Sequence, residues 1–128
     1  MDQISQGMLW ELYIGAGKKA SEQGNYNQAE RMFSSGLRAL EQHLADLNGA
    51  LADMLHCLAN VYREQGRHSE AEPLYQRALG MLEIEPGRES LGFRAAALDY
   101  AQMLRKVGRT SDAEGLEAPV QGYERLEA

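Results

Sequence analysis

Between positions 51 and 62 the apolar residues Leu51, Leu55, Leu58, Ala59 and Tyr62 recur at spacings of three and four. Between 71 and 82 the set Ala71, Leu74, Tyr75, Ala78, Leu79 and Leu82 does the same. Each set lines one stripe of an amphipathic α-helix. Gly66, between the two, suits the left-handed residue that ends a helix. Ser69 with Glu72 three positions later fits a capping box that opens the next one. Pro73 is expected near the first turn of that helix, where a missing N–H costs least.

This pair of stripes is the middle copy of three. SEQGNYNQAE at 21–30, REQGRHSEAE at 63–72 and RKVGRTSDAE at 105–114 each carry Gly, four residues, then Ala-Glu. Gly24, Gly66 and Gly108 are 42 apart (66 − 24 and 108 − 66), as are Ala29, Ala71 and Ala113 and then Glu30, Glu72 and Glu114. The capping columns Asn27/Glu30 and Ser111/Glu114 repeat too. The pattern predicts helices near 5–23, 26–45, 50–65, 68–84, 89–107 and 110–126. Breaks are expected at Asn48-Gly49 and Pro86-Gly87. Within each copy the small column Gly17, Ala59, Ala101 lets two helices approach, beside the bulkier Ala20, Tyr62, Leu104. One helix pair cannot bury both of its apolar faces, but stacked pairs can, which is a solenoid.

Composition narrows the function classes. The 128 residues suit one domain over 1–128, with copies at about 5–45, 50–85 and 89–126. A formal charge of −6 argues against a dedicated nucleic-acid binder. With a single cysteine, Cys57, no intramolecular disulfide is available. The first residues, MDQISQGMLW, lack a basic n-region, and no apolar run approaches the roughly 20 residues of a membrane span. The expected compartment is therefore the cytoplasm.

Ala59, Tyr62, Gly66, Ala71, Tyr75, Ala78 and Leu79 together resemble the tetratricopeptide repeat (TPR), whose usual period is 34. The longer period, with YREQGRHSEAEPLYQRAL, is most similar to the repeats of kinesin light chain and its bacterial relatives. The third copy departs from the pattern: Glu117 replaces the aromatic column of Phe33 and Tyr75, and Pro119 is expected to interrupt the last helix. The resemblance implies an all-α, right-handed superhelix of six helices, with the first helix of each pair lining a concave groove that holds a partner segment. Carried over, the groove columns are Glu11/Asp53/Ala95, Ile14/His56/Leu98, Lys18/Asn60/Gln102 and Ser21/Arg63/Arg105. The carboxylate clamp of one branch of the family is not reproduced, because Ile14 and Cys57 stand where it requires Lys and Asn.

No catalytic, cofactor or metal site is expected. His56-Cys57 with His43 or His68 lacks chelating spacing, since adjacent helical residues point about 100° apart. Cys57 has no base or oxyanion donor that the sequence can supply. Lys18, Lys19, Arg63, Arg105 and Lys106 gather toward the ends of the lining helices, either as a basic strip or as complements to helix dipoles. Trp10, Tyr13 and Ile14 either pack on the second helix or leave an apolar patch. The expectation is a non-catalytic scaffold that binds another protein or peptide segment, an acidic one if the basic strip is what recognises it. The alternative is a structural domain that forms homo-oligomers through its uncapped terminal helices.

Overall fold

The structure, a computed structural model, describes residues 2–41 and 48–127, with side chains described over 9–41 and 49–118. Six helices follow in order: α1 (Asp2–Glu22), α2 (Tyr26–Glu41), α3 (Asn48–Glu64), α4 (His68–Ile84), α5 (Leu91–Lys106) and α6 (Thr110–Glu127). All six expected helices are present, and among the described residues all regular structure is helical. The expected end of the second helix, at 42–45, lies outside the described residues, as does His43. Asn48-Gly49 was expected as a break but forms the first two residues of α3. Nor does position 119 interrupt the last helix: α6 is continuous from Thr110 to Glu127. A proline there gives up the bond to the carbonyl of Gly115, which is exposed, so water can serve that carbonyl.

The repeated glycines do identical work. Gly24, Gly66 and Gly108 have φ of 75°, 76° and 85°. Each donates its N–H to the residue three before it, and the next residue donates to the carbonyl five before it: Asn25 to Ala20, Arg67 to Tyr62, Arg109 to Leu104, all at 2.8 Å. This paired closure ends a helix through a left-handed residue that glycine adopts without strain. The residue after each glycine then starts the next helix. Its carbonyl accepts from Ala29, Ala71 or Ala113 at 3.0–3.1 Å, and all three alanines are fully buried.

The expected capping boxes do not form. Arg67 is the N-cap of α4 with no side-chain cap bond, so Ser69 lies inside the helix and Pro73 within it, beyond the first turn. Ser69 is exposed, and water can take the carbonyl that Pro73 leaves without a donor. In α2, Asn25 rather than Asn27 caps, accepting from the Gln28 N–H at 3.4 Å. Ser111 likewise falls inside α6. The glycine closure fixes where the next helix begins, two residues earlier than the Ser/Glu pattern suggested. At the start of α5 a serine caps: Ser90 Oγ accepts from the Phe93 N–H at 3.2 Å.

Packing follows the columns. Gly17 is buried, and a Cβ there would come within 2.6 Å of the Phe33 ring. Ala59 and Ala101 hold the same place in the other two copies, both buried. α3 is shared between two apolar clusters. Leu51, Met54, Leu55, Leu58 and Val61 pack with Phe33 and Leu40, whereas Ala52 and Ala59 belong with Tyr75, Phe93, Tyr100 and Leu104. Each fully buried large side chain is worth about 1.5–3 kcal/mol, so these columns outweigh the surface ion pairs in holding the stack. The α1 backbone lies against α3 and the α3 backbone against α5, while α2 and α4 meet through long side chains, as in the pair Arg77–Glu41 at 3.6 Å. The first helices therefore form the inner layer.

Candidate functional site: the face of the first helices

Several residues of the columns read from the sequence engage one another across the inner helices. Lys18 of α1 lies 3.5 Å from Asp53 of α3, both about half exposed. Glu11 and Ala95 are exposed, Ile14 packs partly against the core, and Leu98 is exposed. Ser21 is half-buried.

At the α3–α5 junction the centre is Asp99, which the sequence reading missed. Its Oδ2 sits 2.7 Å from His56 Nε2 and accepts from the Asn60 amide at 3.1 Å. Arg63 donates to the Asp99 backbone carbonyl and to Gln102 Oε1, each at 3.2 Å, and lies 3.7 Å from the carboxylate. Behind them the fully buried Tyr75 donates its O–H to Asn60 Oδ1 at 2.5 Å. Burial pushes the Asp99 carboxyl up, but hydrogen bonds from His56 and Asn60 and the charges of His56 and Arg63 outweigh it and hold it below the usual range. His56, Asn60, Arg63 and Gln102 thus meet at this junction, around an anion. Asn60 spends both ends of its amide on Asp99 and Tyr75.

Arg105 stands apart from this cluster. It pairs with Glu117 of α6, the residue that replaces the aromatic column in the third copy. Together with Lys18–Asp53 and Arg63–Asp99, this gives the three cations a carboxylate each, so the basic strip is largely neutralised by its own neighbours. Lys19 and Lys106 are exposed.

Two recesses open between the lining helices. One, of about 270 Å³ between α1 and α3, is lined by Lys18, Ser21, Glu22, Phe33, Cys57 and Asn60. The other, of about 190 Å³ between α3 and α5, is lined by Arg63, Glu64, Gln102, Met103 and Lys106. In the first, burial and then the Asp53 charge push the Cys57 thiol up to about 12. It is protonated near neutral pH and weakly nucleophilic. Among the described residues no group of three or more His, Cys, Asp or Glu side chains is placed to hold a metal ion. Nor, among them, is any helix long and apolar enough to cross a membrane.

A second set of contacts joins successive copies at the turns. Arg67 reaches Glu30 of the first copy at 2.7 Å, and Arg109 reaches Glu72 of the second at 2.7 Å. Each arginine also holds the acid three residues on, Glu70 or Asp112. Tyr62 donates to Glu30, and Tyr100 to Glu72. The Ala-Glu motif thus has two functions: alanine closes the helix pair, and glutamate clasps the next turn.

Paired helices, buried Ala columns and glycine turns at a constant period are what a helical repeat family should show. The tetratricopeptide repeat model matches residues 50–117, a little over half of the chain. This chain belongs to the tetratricopeptide repeat family. The match covers the second copy and most of the third, including the departing Glu117. No curated protein matches the chain. TPR domains are generally non-catalytic scaffolds for protein–protein interaction.

Proposed function

We propose that this TPR domain binds a segment of another protein along the inner face formed by α1, α3 and α5, and that it has no catalytic step of its own. The observation that carries the reading is the pair of recesses between adjacent inner helices, both rimmed by side chains of the expected columns. An extended or helical segment laid across the three helices would meet both. Lys18 and Gln102 are its most accessible contacts, since both are exposed, whereas Asn60 and Arg63 act as a fixed floor held by Asp99. An acidic segment would compete with Asp53 for Lys18, and its affinity would fall with added salt.

The test uses peptides selected from a random displayed library against the whole chain. Lys18→Ala with Gln102→Ala should weaken the selected peptides at least about tenfold, roughly one to two lost hydrogen bonds. Arg38→Ala, exposed on the outer-layer helix α2, should leave them unchanged. Equal binding by the double variant would move the interaction off the inner face. Arg63→Glu is unsuited to this test, because it would set a carboxylate against Asp99.

A second reading, a self-associating domain, draws on a separate observation. Trp10 and Ile14 pack partly against the core, but Leu9 and Leu12 remain exposed at the N-terminal end of the stack.

A further inference from the structure

The exposed residues of α1 occupy columns that the fold buries everywhere else. One period on from Leu9, Leu12 and Ala16 stand Leu51, Met54 and Leu58, which are 5%, 0% and 4% exposed. Two periods on stand Phe93, Ala96 and Tyr100, at 7%, 0% and 5%. In those copies the cover is the second helix of the preceding pair: Met54 reaches Gly36 of α2, and Tyr100 stacks on Tyr75 of α4 with ring centres 5.3 Å apart. On α1 the same columns are open, with Leu9 39% and Leu12 65% exposed. We propose that this outer face of α1 is an interface between two copies of the chain, α1 against α1 about a two-fold axis. The inference rests on the self-association reading and is independent of the groove.

The other end of the stack argues for a two-fold contact rather than head-to-tail growth. There α6 exposes Ser111, Glu114 and Ala118. In sequence, Gln121 and Glu124 take the places of Leu37/Leu79 and Leu40/Leu82, so the apolar ridge that covers α3 and α5 is not repeated. The turn clasp fails as well. Glu114 would need an arginine from the next molecule, but Asn25 stands in the column of Arg67 and Arg109. The N-terminal face therefore has no match at the C-terminal end, while an isologous contact needs only itself. Charge agrees with an antiparallel crossing. Lys19 is exposed in the column of the buried Val61 and Met103 and marks the edge of the patch. Antiparallel packing centred on Leu12 and Ala16 keeps the two Lys19 side chains roughly 15 Å apart at 1.5 Å per residue.

Sedimentation equilibrium of the whole chain decides the matter, over roughly 1–200 µM, the range of modest interfaces. The expected result is a reversible monomer–dimer equilibrium that stops at two chains. Leu12→Glu should raise the dissociation constant at least about 100-fold, because it buries an unpaired charge in the contact. Leu12 is exposed, so its helical circular dichroism and melting temperature should match those of the parent chain. Leu9→Glu serves as a second variant, and Glu114→Lys at the opposite end should leave the dimer intact. A monomer at every concentration overturns both the contact and self-association. A dimer indifferent to Leu12→Glu and Leu9→Glu overturns the α1 contact alone. Mass that climbs past two chains with concentration overturns the two-fold arrangement.

Discussion

The two junctions of the stack share one clasp but are filled differently. Where α2 meets α3, the contact is wholly apolar: Leu51, Met54, Leu58 and Val61 pack with Phe33 and Leu40. Where α4 meets α5, the bulk has moved. Ala96 and Ala97 replace large side chains, and Tyr75 and Tyr100 stack at an interplanar angle of 11°. Polar atoms come with the aromatic rings, as Gln76 donates to the Tyr100 oxygen, which itself donates to Glu72. Burial and then Glu72 push the Tyr100 hydroxyl up to about 12, so it remains a donor. The inner face differs in the same sense. The first junction is bridged by the exposed pair Lys18–Asp53, whereas the second is closed over Asp99. The turn and clasp set the spacing of the layers, and within that spacing side-chain volume can be redistributed.

A reciprocal swap should break this comparison most strongly. Met54→Ala empties the first junction and should cost about 2–5 kcal/mol in equilibrium urea unfolding. Ala96→Met overfills the matching column of the second and should cost about 1–3 kcal/mol. If the swap is tolerated at either site, the two junctions are not rigidly spaced.

A smaller effect sharpens the contrast on the inner face. The lowered Asp99 carboxyl adds stability that is fully present above its ordinary value of 3.8 and is lost as pH falls through the lowered value. Asp99→Asn should therefore be less stable than the parent near neutral pH, and the gap should narrow as pH drops below 3.8. A gap that stays constant from neutral pH down to that acid range would mean that the Asp99 charge does not hold the second junction.

The smallest expected effect separates the two clasps. Arg67 lies over the Tyr62 ring, 4.3 Å from its centre, in addition to pairing with Glu30. In the second clasp the column of Tyr62 holds Leu104, which offers no π face. Arg67→Ala should lower the melting temperature more than Arg109→Ala, and high salt should shrink both losses but not the difference. Equal losses would assign the stabilisation to the ion pairs alone.

The period of 42 made the helices, the glycine turns and the small column legible, because each depends on residues close in the chain or repeated at one interval. The caps misled, because Ser69-Glu72 has the composition of a box while the Gly66 closure had already fixed the start of α4. Asp99 escaped notice because its partners lie on another helix, in the preceding copy of the repeat. Its signal was present nonetheless: it is the lone acid in FRAAALDYAQML. Cross-layer ion pairs also have a signature, a separation slightly under one period. Lys18–Asp53 are 35 apart, Arg63–Asp99 are 36, and both clasps are 37. A scan for opposite charges at that interval would have paired Lys18 and Arg63, two of the five cations that looked like a basic strip.

The clasp also makes the chain extensible. Consider the segment 67–108, which runs from one clasp arginine through the next left-handed glycine and is 42 residues long (108 − 67 + 1). Copied in tandem after position 108, it would offer its own arginine to Glu72 and its own glutamate to Arg109. Every new layer would find both halves of the clasp already waiting. A single in-frame duplication could therefore lengthen the stack without any compensating change, so that tandem copying of one segment becomes a route by which such a chain can grow.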